Sequence, residues 1–133
     1  MAGTHARYIA LTDKEVAVKL EGSGMLLRVF IGEADRCGQR PLYESIVRSA
    51  REQGMAGCTV LRGIEGFGAR SVIHTAKILR LSEDLPLVIE IVDTEEKIRA
   101  FLPEVDALFE RSGCGGLITL EKATVLRYTP GAG

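Results

Sequence analysis

Residues 26–62 read LLRVFIGEADRCGQRPLYESIVRSAREQGMAGCTVLR, and the order of signals in this stretch decides the fold. Leu26-Leu27-Arg28-Val29-Phe30-Ile31-Gly32-Glu33 is rich in β-branched and aromatic residues and long enough for a strand. A polar turn with Asp35 and Gly38 leads to Pro41, which suits the first position of a helix because its missing N–H costs nothing there. Leu42, Ile46, Val47 and Ala50 recur at helical spacing, with Glu44, Arg48, Arg51 and Glu52 mostly on the other side. Gly54 ends the pattern, and Cys58 to Arg62 supplies a second strand. The unit is β-α-β.

Downstream the plan repeats. Leu87 to Val92 reads as a strand beginning after Pro86, and Asp93-Thr94-Glu95-Glu96 reads as a capping box with Asp93 as N-cap. Ile98, Phe101, Leu102, Val105 and Leu108 form the apolar stripe of a helix. Pro103 lies inside that stripe and predicts a kink, or two short helices. Gly113, Gly115 and Gly116 make a flexible turn, and Leu117 to Tyr128 is the last extended segment. Two β-α-β units joined by a Gly-rich connection predict an α+β, ferredoxin-like βαββαβ sandwich: an antiparallel four-stranded sheet with two helices on one face. The alternation in Leu26–Ile31 and Leu87–Val92 leaves apolar side chains on the other face too, which predicts self-association.

Upstream, residues 1–24 stand apart as an N-terminal extension before a domain spanning 25–129. Tyr8 to Leu11 and Val16 to Leu20 are short strand candidates, Gly22-Ser23-Gly24 separates them from the domain, and the region reads as an extension that supplies an edge strand and is partly mobile at its tip. A net charge of -1 argues against sequence-independent binding of nucleic acid, which needs a basic surface. No apolar run nears the roughly 20 residues of a membrane span, and Met1–Arg7 lacks the pattern of a signal peptide, so the expected location is cytoplasmic. Cys37, Cys58 and Cys114 are odd in number and form no CxxC pair, and with only two histidines no disulfide framework or structural zinc site is expected, while a metal bound by carboxylates stays open.

Between the two halves lies Thr59-Val60-Leu61-Arg62-Gly63-Ile64-Glu65-Gly66-Phe67-Gly68-Ala69-Arg70-Ser71. Three glycines at a strand end let backbone N–H groups approach a ligand closely, as around phosphates, and Arg62 and Arg70 flank them with charge-assisted donors. No Gly-Lys-Ser/Thr follows, so this is not a Walker loop, and the spacing fails the dinucleotide fingerprint. The plainer reading of the same residues is a glycine-bent strand with a flexible hairpin.

The stretch LLRVFIGEADRCGQRPLYESIVRSAREQGMAGCTVLRGIEGFGARSVIHTAKILRLSEDLPLVIEIVDTEEKIRAFL (residues 26–102) closely resembles the small P-II-like family catalogued as domain of unknown function one-ninety. The resemblance extends over about residues 18–128. That family resembles the nitrogen-regulatory P-II signalling proteins, ferredoxin-like protomers that form trimers with adenine nucleotides in clefts between subunits. The resemblance implies a homotrimer, no catalytic residues, no required cofactor, and AMP, ADP or ATP as candidate ligand. Gly66-Phe67-Gly68 resembles the P-II glycine motif at the base of the long regulatory loop, which places that mobile loop at Ala69–Leu79, and a membrane transporter is the implied class of partner.

The implied ligand-binding residues are Glu33, Gly63, Gly66, Phe67, Gly68, Arg70, Ser71, His74 and Arg127, with no metal ligands among them. Three departures thin the phosphate clamp. Arg70-Ser71 replaces the family's Gln-Lys, Leu117 follows Gly115-Gly116 where P-II proteins carry a basic residue, and the residues flanking Arg127 differ. AMP or ADP is therefore as open as ATP. His74 and Lys77 have structural readings beside the functional one; Glu33, Asp35 and Arg36 either line the cleft or form a solvated turn; Ser82-Glu83-Asp84 reads as loop capping and Cys58 as a small core residue. Two rival functions stand beside the regulator: a slow nucleotide hydrolase, against which no recognisable catalytic set is present, and a structural trimer with an empty cleft.

Overall fold

The computed structural model describes residues 20–68, 74–75 and 84–131. These form β1 (Gly24–Gly32), a hairpin of β2 (Arg36–Cys37) and β3 (Arg40–Pro41), α1 (Leu42–Glu52), β4 (Thr59–Arg62), and β5 (Glu65–Gly66) paired with β6 (His74–Thr75). β7 (Pro86–Asp93), α2 (Glu95–Ser112) and β8 (Leu117–Ala123) complete them. The four long strands make one antiparallel sheet in the order β4-β7-β1-β8, which is the ferredoxin-like arrangement. The expected edge strand and tip of the extension (residues 1–19), Arg70, Ser71 and Lys77 lie outside the described residues. At His74 only the backbone is described.

The period-two pattern selects the buried face. Val29 stands opposite Ile89 and Ile118, and Leu27 opposite Ile91 and Leu120, so odd positions of β1 and β7 point one way. Met25, Leu27, Val29, Ile31, Leu87, Ile89 and Ile91 meet Leu42, Ile46 and Ala50 of α1 and Ile98, Phe101, Val105 and Leu108 of α2 in one core. The opposite face carries Leu26, Phe30, Val88, Val92, Leu61 and Leu117 and no helix among the described residues. At its centre Arg28 donates to Glu90 at 2.9 Å and also to Glu121. The hydrogen bond with Glu90 raises the guanidinium pKa further, so this charge is permanent. An apolar surface broken only at its middle by one cation paired with two carboxylates suits burial against another surface better than contact with water.

Three local expectations are corrected. The N-cap of α2 is Thr94, not Asp93: β7 runs one residue further, pairing Asp93 with Met25, and the extended Thr94 accepts a hydrogen bond from Lys97 N at 3.2 Å. Replacing Thr94 by Ala is expected to lower stability by about 1 kcal/mol, the usual worth of a cap, as read from a urea melt. Of the two outcomes expected at Pro103, the division of α2 does not occur: the helix continues to Ser112. Pro103 is exposed, and so is Arg99, four residues earlier, whose carbonyl loses its helical donor; water can replace that donor. The last strand stops at Ala123 rather than extending to Tyr128. Beyond it the chain continues along the end of the sheet, where Val125 O accepts from Gly22 N at 2.7 Å and Tyr128 Oη donates to Ala56 O at 3.2 Å.

The freed Asp93 carboxylate has other work. Fully buried, it accepts from Ala56 N at 2.8 Å and Thr94 N at 2.7 Å, and faces Lys97 Nζ at 3.7 Å. Lys97 also donates to Gly54 O. This pair ties the α1–β4 connection to the start of α2.

Candidate functional site

β4 ends with Arg62 opposite Leu87, and Gly63 N extends that ladder by donating to Pro86 O at 2.7 Å. A Cβ at Gly63 would stand 2.9 Å from Pro86 Cγ, and one at Gly66 3.1 Å from the same atom. Close packing against Pro86 is therefore enough to explain both glycines. Gly68 differs: among the described residues, nothing lies within 4 Å of the position its Cβ would take. The described residues give no steric reason for a glycine there.

Glu65-Gly66 pairs with Thr75-His74 in a short two-stranded neck, in agreement with the hairpin reading of this stretch. Ile64 and Phe67 are 79% and 67% exposed, and these large apolar side chains stand out at the base of that neck. Beside them Arg62 is ion-paired with Glu33, which follows β1 directly and whose backbone N–H donates to Leu85 O at 2.8 Å. Glu33 is thereby brought to the same sheet end as Gly63, Gly66, Phe67 and Gly68.

The neighbouring acids are occupied in the turn itself. Asp35 Oδ2 accepts from Gly32 N at 2.9 Å and Asp84 Oδ1 from Ala34 N at 3.0 Å. Arg36 donates to Gln39 O within the β2–β3 hairpin. These contacts favour the turn-building reading of Asp35 and Arg36, and the capping role expected of Asp84 is present.

Arg127 is not part of this assembly within one chain. It donates to Thr129 Oγ1 at 3.1 Å, next to Tyr128, at the sheet end where Gly24 meets Ala123 and Met25 meets Asp93. The eight residues of β7 separate the two ends, about 24 Å at strand rise. A ligand touching both Gly68 and Arg127 needs two copies of the chain.

Sequence reasoning missed Pro86 as the residue against which the glycines pack. The hairpin is among the readings of this stretch, but the register of its two-residue strands carries no periodic signal.

Residues 24–125 match the family described as DUF190, "Uncharacterized ACR". The chain belongs to the DUF190 family. A UPF0166 protein of Aquifex aeolicus is 40% identical over 101 residues, covering 76% of this chain and 91% of that protein. A UPF0166 protein of Methanocaldococcus jannaschii is 35% identical over 88 residues, 66% of this chain and 81% of the relative. Among solved structures, CPII of Thiomonas intermedia K12, described as a nitrogen regulatory PII-like protein bound to ADP, AMP and bicarbonate, superposes with a TM-score of 0.61. It is 17% identical, and the match covers 79% of this chain and 90% of CPII. At that identity the likeness establishes a shared fold: this DUF190 protein has the P-II-like ferredoxin fold. Among the described residues, no helix is long and apolar enough to cross a membrane.

Proposed function

We propose that the protein is a cytoplasmic, non-catalytic P-II-like regulator: a homotrimer that binds an adenine nucleotide between subunits and reports its occupancy through the segment 69–79. The observation that carries this reading is Gly68, a glycine that packing among the described residues leaves unexplained. It stands beside exposed Phe67, at the end of the sheet where the P-II-like fold departs into its loop. In the trimer, the helix-free sheet faces meet around a common axis. Phosphates lie near Gly66-Phe67-Gly68, Arg70 and Ser71 of one copy, while Arg127 is contributed by the next. The occurrence of ADP and AMP in CPII supports an adenine nucleotide as the ligand. A membrane transporter is the class of partner this reading assigns to the loop.

The test is calorimetry with AMP, ADP and ATP. Arg70→Ala is expected to weaken binding by about 1.5–3 kcal/mol, the worth of a charged hydrogen bond to phosphate, without changing the oligomer. Equal affinity in the variant would remove Arg70 from the site. Steady release of hydrolysed product during a long incubation would instead favour the enzyme reading.

A further inference from the structure

Two of the three cysteines, distant in sequence, meet at one place in the fold. Cys37 lies in the β2–β3 hairpin packed against α2, with its thiol 4.0 Å from Leu108 O. Cys114 follows the C-cap of α2, and its thiol lies 3.7 Å from Arg36 O and 3.8 Å from Ser112 O. The Arg36 carbonyl belongs to the peptide that leads into Cys37. Standard peptide dimensions therefore put the Cys114 sulfur at most about 6.5 Å from the Cys37 Cα. Both thiols are free and half-buried. Cys114 sits between Gly113, at φ 69°, and Gly115, whose surroundings are open, so the turn can shift the few ångström that closure needs.

We propose that Cys37 and Cys114 are a reversible dithiol site, closed to an intramolecular disulfide by low-molecular-weight disulfides or hydroperoxides. With a small disulfide, the Cys114 thiolate attacks one of its sulfurs and expels one small thiolate. The Cys37 thiolate then attacks the Cys114 sulfur of the mixed disulfide and expels the second small thiol. Two protein thiols are oxidised, one small disulfide is reduced to two thiols, and the protons pass to the departing thiolates. With a hydroperoxide, Cys114 becomes a sulfenic acid as water or an alcohol leaves, and condensation with Cys37 releases water.

The bond clamps the hairpin to the α2–β8 turn. That turn ends at Gly116, packed on Phe109 and Phe30 O beside the Phe30–Leu117 pairing, near the sheet end that bears Glu33 and Gly63. Cys58 provides an internal control. It lies with Val47, Ala50 and Met55 in a cleft between α1 and the start of β4, and burial pushes its thiol up, which slows its reaction at neutral pH.

The full chain is incubated with oxidised glutathione or, separately, hydrogen peroxide, then alkylated and examined by mass spectrometry. The expected product has lost two hydrogens, yields one cross-linked peptide pair containing Cys37 and Cys114, and keeps Cys58 free. Closing a long loop should also raise the melting temperature by about 5 °C or more, reversibly with reductant. Cys37→Ser should abolish the cross-link, while Cys58→Ser should leave it. Stable glutathione adducts at Cys37 or Cys114, chain-to-chain disulfides through either, or three thiols that stay free would each overturn the proposal.

Discussion

Replacing Asp93 with Ala is expected to destabilise the protein by about 3–5 kcal/mol, the cost of stranding one partner of a buried ion pair. The carboxylate is fully buried and accepts from two backbone N–H groups while facing Lys97, itself almost buried. Its removal leaves the Ala56 and Thr94 donors without that acceptor and takes one carboxylate from Lys97. A loss of that size is a large share of the roughly 5–15 kcal/mol that holds a domain of this kind folded. Lys97→Met should cost less, because Asp93 keeps its two backbone donors and the methionine refills the space. Urea denaturation of both variants gives the comparison. A loss below about 1 kcal/mol for Asp93→Ala would mean that the pair is not what anchors the α1–β4 connection.

Gly68→Val is expected to abolish nucleotide binding and leave the urea midpoint unchanged. The Cβ position at Gly68 is open among the described residues, so a side chain there meets none of them. In the proposed complex it instead holds the backbone donors away from the phosphates. Gly63→Ala predicts the reverse ranking. Its new Cβ would press on Pro86 Cγ at 2.9 Å and disturb the Gly63–Pro86 hydrogen bond, so stability falls first and binding only as a consequence. If Gly68→Val binds nucleotide as well as the wild type, the ligand does not approach this backbone. If it unfolds as readily as Gly63→Ala, the glycine has a packing role that the structure does not account for.

The sheet and both helices were legible in the chain because their signals are local and periodic. Leu27, Val29 and Ile31 alternate with Arg28 and Phe30, and Leu42, Ile46 and Ala50 recur at a helical interval. Gly54, with φ at 72°, ends α1 where expected. What escaped was decided by distant partners. Asp93 and Thr94 are both competent caps, and only the pairing of Asp93 with Met25 assigns the role to Thr94. Pro103 reads as a break until the exposure of its surroundings is known.

At the candidate site, the glycines were visible but their separate reasons were not. Gly63 and Gly66 answer to Pro86, across a connection that carries no pattern, whereas Gly68 does not. Arg127 was grouped with them by resemblance alone. Where the chain turns after Ala123 sets its place at the far end of the sheet, and no local signal marks that turn.

The central claim is that two copies of this chain build one nucleotide site. It is tested most directly by measuring mass by light scattering and binding by calorimetry on the same micromolar sample, with AMP, ADP and ATP in turn. The account predicts a trimer that binds at least one of the three nucleotides saturably, with one ligand per subunit interface. A stable monomer, or a trimer that binds none of the three, would contradict it.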